Sequence, residues 1–127
     1  MGIYSFSELE TWQRAHELHK AICEACKCNP LKQRYRLLAR LKAAEISAMA
    51  NIAEGFERGS PDEFHKSLCI AKGEAGEILS HLIAAHDDGL LTDEQFQPLR
   101  DLALRVAQLI GALRRSLEPR LKRRKGH

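Results

Sequence analysis

The 127 residues fit a single domain, and 44% hydrophobic with 29% charged residues is the balance of a chain that buries a core without disulfides or metal. Scarce aromatics (6%) and few β-branched residues exclude an all-β fold, and no apolar run reaches the ~18 residues of a membrane span. The net charge of +3 is unevenly spread: residues 114–127 hold seven Lys/Arg against Glu118, a net of +6, so the remainder is acidic overall.

The elements follow in chain order. Ser7 and Glu10 stand at capping-box spacing and predict a first helix with apolar positions Leu9, Trp12, Ala15, Leu18, Ile22 and Ala25. Cys28-Asn29-Pro30 ends it. A second helix is expected from about Leu31, through Leu37, Leu41, Ala44, Ala48 and Ile52, to Gly55 or shortly after. The third opens on Ser60 as cap, Pro61 at the first helical position and Glu63 closing the box. Its stripe is Phe64, Leu68, Ala71, Ala75, Ile78, Leu82 and Ala85, and Asp87-Asp88-Gly89 stops it. Thr92 and Gln95 box the fourth, whose stripe runs Phe96, Leu99, Ala103, Val106, Ile110, Leu113, Leu117. Pro98 costs that helix a backbone hydrogen bond and predicts an irregular start.

Short connections between long amphipathic helices predict an all-α, up-down antiparallel four-helix bundle over residues 1–117, with residues 118–127 as a disordered basic tail. Leu38, Met49, Leu102 and Leu109 widen the apolar faces beyond one core's need, which points to self-association. Gly73 and Gly76 fall mid-helix at roughly 1 kcal/mol each relative to Ala, so a neighbouring helix or a second subunit is expected to approach there. The first twenty residues mix acids and bases like no signal peptide, so a cytoplasmic location and reduced thiols are expected.

His16, His19, Cys23 and Cys26 share one helical face but span too far for a single tetrahedral ion. Two of them with a group from another helix would still make a zinc site; the simpler reading is buried thiols and half-exposed histidines. No nucleophile signature surrounds any cysteine, and there is no Gly-rich phosphate loop, HExxH or outstanding carboxylate pair. No catalysis, cofactor or metal is therefore expected. Glu74 and Glu77, with Glu63 farther off, read as a solvated or intersubunit face. Asn51 and Glu54 share a face near the second helix's end and read as partners for backbone groups in the turn toward Ser60.

Lys27, Lys32, Arg34, Arg36, Arg40 and Lys42 form a run with no acid between Glu24 and Glu45. Cations near a helix N-terminus oppose the dipole. A chain that keeps them there is suited to phosphates, as is the tail.

The string Asn51-Ile52-Ala53-Glu54-Gly55-Phe56 carries a family resemblance. With it go Phe6, Leu9, Trp12, Ala15-His16 and Leu18 before it, and Ser47 within the second helix. Arg58-Gly59-Ser60, Glu63-Phe64, Ile70-Ala71-Lys72-Gly73 and Glu77 follow. Over residues 5–117 the chain resembles the four-helix-bundle family that includes the 23S rRNA intervening-sequence proteins and the accessory variability determinant proteins of diversity-generating retroelements. It departs where the family usually has Gly-Ser-Leu, here Gly73-Glu74-Ala75, and where Arg40 and Glu45 replace uncharged residues.

The resemblance implies a non-enzymatic bundle that assembles as a ring-like homopentamer, with Asn51, Glu54, Gly55, Gly73 and Glu77 as structural motif residues. The accessory members bind nucleic acid and a reverse transcriptase. The expected function is therefore a sequence-tolerant RNA- or DNA-binding accessory protein, with a protein-interaction scaffold as the rival. Phosphate contacts are expected from Arg114, Arg115, Arg120, Lys122, Arg123, Arg124 and Lys125, and from a second surface of Lys32, Arg34, Arg36 and Arg40.

Overall fold

The computed structural model describes residues 2–27 and 33–122. Four helices carry the fold: α1 (Glu10–Ala25), α2 (Tyr35–Glu57), α3 (Pro61–Asp87) and α4 (Asp93–Leu117). The described residues contain no strand, and none of their helices is long and apolar enough to cross a membrane.

The first helix begins differently from the expectation. Ser5, not Ser7, is the cap, and it caps a 3-10 turn over Phe6–Glu8. Glu8 reaches back to accept from the backbone N–H groups of Ser5 (3.1 Å) and Tyr4 (2.7 Å). The buried Leu9 joins this turn to α1 without any side-chain cap. The sequence offers two overlapping Ser-x-x-Glu boxes, and the one used is the one that leaves Leu9 at the junction, in the core.

Helix α2 starts at Tyr35 rather than near Leu31, with Arg34 at its N-cap and no side-chain cap bond. The expected start at Leu31, with Lys32, lies outside the described residues. The helix runs past Gly55 to Glu57, and Gly59, at φ +79°, turns the chain. Ser60 then caps α3 by accepting from the Glu63 N–H (3.3 Å), and Pro61 takes the first turn as expected. Only half of that box forms: the Glu63 carboxylate lies 3.9 Å from Arg58 instead.

Helix α3 closes in a Schellman motif. Gly89 (φ +76°) donates to His86 O at 3.0 Å, Leu90 donates to Ala85 O at 2.9 Å, and the Leu90 side chain is buried. The Thr92–Gln95 box of α4 forms reciprocally. Pro98 does not make the start irregular: the helix is continuous from Asp93, because the proline and Glu94, whose carbonyl loses its donor, are both exposed.

The stripes read from the sequence become the core. Leu18 and Ile22 of α1, Leu41 and Ile52 of α2, Leu68, Ile78 and Leu82 of α3, and Val106 and Ile110 of α4 are all buried. At roughly 1.5–3 kcal/mol per fully buried aliphatic side chain, this cluster is the main stabilising element.

Cross-helix contacts fix the directions. The turn before α1 meets the end of α2, with Phe6 N–H donating to Glu57 (3.2 Å), and farther along α1 His19 bonds Glu45, which lies earlier in α2. Asn51 meets Glu74 and Gly55 meets Ser67 across α2 and α3. His86 meets Asp93 (2.6 Å) and Cys69 meets Arg114 across α3 and α4, while Glu10 meets Arg105 (3.5 Å) to close α4 on α1. All four neighbouring pairs are antiparallel, as an up-down bundle requires.

The chain does not become a loose tail at residue 118. Glu118–Arg120 forms a 3-10 turn, Leu121 is half-buried, and the Lys122 N–H donates to Asp62 Oδ1 (3.2 Å). The N-terminal turn of α3 thereby holds residues 118–122 against the bundle.

Candidate nucleic-acid interface

Ten ion pairs join described residues, and they divide the cations into two kinds. Arg14, Arg58, Arg100 and Arg105 each have a carboxylate within 4 Å. Arg114, Arg115, Arg120 and Lys122 have none among the described residues. Arg114 and Arg115 occupy the last turn of α4, where cations complement the helix dipole, and Arg120 and Lys122 follow in and after the 3-10 turn.

Antiparallel packing adds two residues that the sequence reading did not count among the phosphate contacts. A Cβ on the buried Gly111 would lie 3.3 Å from Arg115 Nη1 and 3.4 Å from Lys72 Cε, so these two cationic side chains lie side by side over that glycine. Lys66, one and a half turns before Lys72 and also without a carboxylate partner, lines a surface groove with His65, Cys69 and Lys122. Nothing short-range marks either lysine. The signal is the α3–α4 pairing itself, which lays the first half of α3 along the second half of α4. The acids lining this groove are Asp62 and Glu63, and Glu118 beside it faces His65 (3.4 Å).

The second basic group stands at the other end of the molecule. Arg34, Arg36 and Arg40 are exposed around the start of α2 and likewise lack carboxylate partners. Between Arg34 and Arg36 sits Tyr35, 69% exposed and sharing their groove with Gln33 and Leu37. Lys32, Arg123, Arg124 and Lys125 lie outside the described residues. Since α2 is 23 residues long, the outermost members of the two groups are about 34 Å apart along the bundle at 1.5 Å per residue. They form two surfaces, one at each end.

The motif residues have other tasks than the turn toward Ser60. Asn51 Nδ2 donates to Glu74 Oε1 (3.0 Å) and to the Ser47 carbonyl (3.0 Å), and the Ser47 hydroxyl donates to Glu74 Oε2. Glu74 is thus not part of a solvated face; it is a half-buried acceptor between α2 and α3. Glu54 accepts from Arg58 (3.3 Å) and Glu77 faces His81 (3.3 Å). Gly55 lets α3 approach, with Ser67 and Phe64 against it. Gly73 is exposed, and a Cβ on it or on Gly76 would meet nothing within 4 Å, so none of the described helices explains either glycine.

The face of α1 with His16, His19, Cys23 and Cys26 is divided among separate contacts. His16 stacks on Trp12 (4.9 Å between ring centres), and His19 bonds the buried Glu45, with Cys23 Sγ 3.8 Å from His19 Nε2. Cys26 is buried. Among the described residues no group of three or more such side chains is placed to hold a metal ion. Burial pushes the Glu45 carboxyl above the usual glutamate range, against the opposite pull of His19 and Lys42. Its Oε2 is buried without a partner.

Fold and surface together define a small antiparallel four-helix bundle with unpaired cations at both ends. The chain belongs to the family of 23S rRNA-intervening sequence proteins, whose family model matches residues 7–112. A comparison with curated proteins finds no match.

Proposed function

We propose that this protein is a non-enzymatic accessory protein that binds RNA or DNA through its phosphates, working as a homo-oligomer. The carrying observation is the cluster of Lys66, Lys72, Arg114, Arg115, Arg120 and Lys122, six cations without a carboxylate partner among the described residues, while Arg14, Arg58, Arg100 and Arg105 are each paired. A protein maintains like charges side by side where an external anion relieves their repulsion. The arrangement holds no row of aromatics, so binding is sequence-tolerant, with Tyr35 as the one exposed ring among cations of the described residues.

The family resemblance supports a ring of five copies, and exposed Ile70, Gly73, Gly76 and Ile83 on α3 supply a surface for a second copy. It also supports a more specific role, helping a reverse transcriptase copy a template RNA in the cytoplasm. Repetition in an oligomer multiplies a modest contact by avidity.

Fluorescence anisotropy with RNA and DNA across a salt series tests the reading. The comparison is the full chain against Lys72→Gln/Arg115→Gln/Arg120→Gln/Lys122→Gln, at matched oligomer mass. Substitution is preferable to truncating α4, because Leu117 belongs to the core. A steep salt dependence, flattened by about one slope unit per removed contact, supports phosphate binding. Absence of binding at low salt moves the protein to the scaffold class, with a protein as its partner.

A further inference from the structure

Two helices carry the same local pair, a histidine four residues before a cysteine with sulfur 3.8 Å from an imidazole nitrogen: His19/Cys23 on α1 and His65/Cys69 on α3. Their surroundings differ. His19 is turned to the buried Glu45, Cys23 is half-buried, and among the described residues no cationic side chain reaches its sulfur. Cys69 is exposed, and three elements converge on it.

From α3, His65 Nδ1 lies 3.8 Å from Cys69 Sγ. From the turn after α4, Glu118 Oε2 lies 3.4 Å from His65 Nε2. From α4, Arg114 Nη1 donates to the sulfur at 3.8 Å. Thiol, imidazole and carboxylate thus stand in series, the order in which a base is oriented against a nucleophile. Arg114 has no carboxylate within reach and its buried Nε has no partner, so the sulfur is the polar group its guanidinium meets among the described residues.

The groove beside the thiol supplies the rest. Lys66 and Lys122 line it without carboxylate partners. Its acids are partnered, Asp62 accepting from the Lys122 backbone N–H within the groove (3.2 Å) and Glu63 facing Arg58 (3.9 Å). We propose that Cys69 is a nucleophilic thiol that forms a mixed disulfide with small disulfides bearing carboxylates. His65 takes the thiol proton as Sγ attacks one sulfur of the incoming disulfide. The S–S bond of that molecule breaks, and its other half leaves as a thiolate that takes up the proton. One disulfide and one protein thiol give one mixed disulfide and one small thiol, with the small disulfide as oxidant. Lys66, Lys122 and Arg114 hold the carboxylates. The site shares Lys66, Arg114 and Lys122 with the phosphate-binding cluster but does not rest on nucleic-acid binding.

The test uses the full-length protein with oxidised glutathione, which carries carboxylates, and cystamine, which is cationic. Rates are read by intact mass and peptide mapping, with N-acetylcysteine as the unstructured reference. Cys69 is expected to react with oxidised glutathione about tenfold faster than the reference near neutral pH, ahead of Cys23, and faster than with cystamine. Arg114→Met is expected to slow the glutathione reaction and shrink its lead over cystamine. His65→Gln is expected to move the pH–rate profile to more alkaline pH. A Cys69 that reacts no faster than the reference or Cys23, or that prefers cystamine, overturns the proposal. The comparison of two disulfides needs no variant, so it decides the matter even where a substitution disturbs folding.

Discussion

Gly55 and Ser67 lie so close that a methyl group on the glycine would sit 2.5 Å from the serine Cβ. Serine Cβ is fixed to the backbone and cannot swing away, so Gly55→Ala forces α2 and α3 apart. The expected loss is about 1–3 kcal/mol in chemical denaturation. Gly55→Ala/Ser67→Gly removes the obstructing atom and should recover part of the steric loss, less the helix cost of the new glycine. A double variant no more stable than additivity predicts would show that the contact is not the cause.

The polar bridge one turn away makes a second prediction. Glu74→Ala strips the acceptor from both Ser47 and Asn51 and should cost roughly 1–3 kcal/mol, the price of half-buried groups left unpaired. Adding Asn51→Ala should cost less than it does alone. Thermal melts of the two singles and the double measure that coupling.

Glu45 makes the third, with a sign that depends on pH. Its folded-state carboxyl titrates above the ordinary glutamate range, so the folded chain holds its proton more tightly than the unfolded chain does. Stability associated with that proton is fully present below the ordinary glutamate range and is lost as pH rises through the elevated folded value. Glu45→Gln cannot ionise. It should melt higher than the parent at neutral pH, by an amount on the order of 1 kcal/mol, and the gap should close on acidification. A gap that widens as pH falls would mean that the His19 pairing outweighs burial.

The α2 end makes the fourth. Tyr35→Ala should weaken single-stranded RNA or DNA binding by about 1–3 kcal/mol if a base stacks there, with the salt slope unchanged because no cation is lost. Arg36→Gln should instead lower the slope by about one. Anisotropy titrations at several salt concentrations separate the two effects.

Much of the fold was legible because its signals are local. Ser60-Pro61 and Thr92-x-x-Gln95 each mark a helix start within four residues, and both serve as helix N-termini. The start of α1 was ambiguous for the same reason, since two Ser-x-x-Glu boxes overlap and only the burial of Leu9 selects between them. Side-chain roles across helices were harder to read. Helical periodicity tells which residues share a face but not which helix that face meets, so Glu74 read as part of a solvated or intersubunit face until α2 lay against it. Lys66 and Lys72 were not read as part of a basic surface because each stands apart from the basic runs in the sequence and joins Arg114 and Arg115 only through antiparallel packing. The placement of the two basic groups was implicit in the topology: in an up-down bundle, the start of α2 and the finish of α4 must be at opposite ends.

That placement gives one molecule two points of attachment. On the phosphate-binding reading, a short oligonucleotide occupies one end and leaves the other vacant, so two strands are carried per copy. A strand long enough to follow the bundle's flank, about 34 Å from 23 residues, reaches both and is chelated. Binding strength should then rise steeply once strand length passes that span, and at high protein concentration long strands should be cross-linked rather than coated.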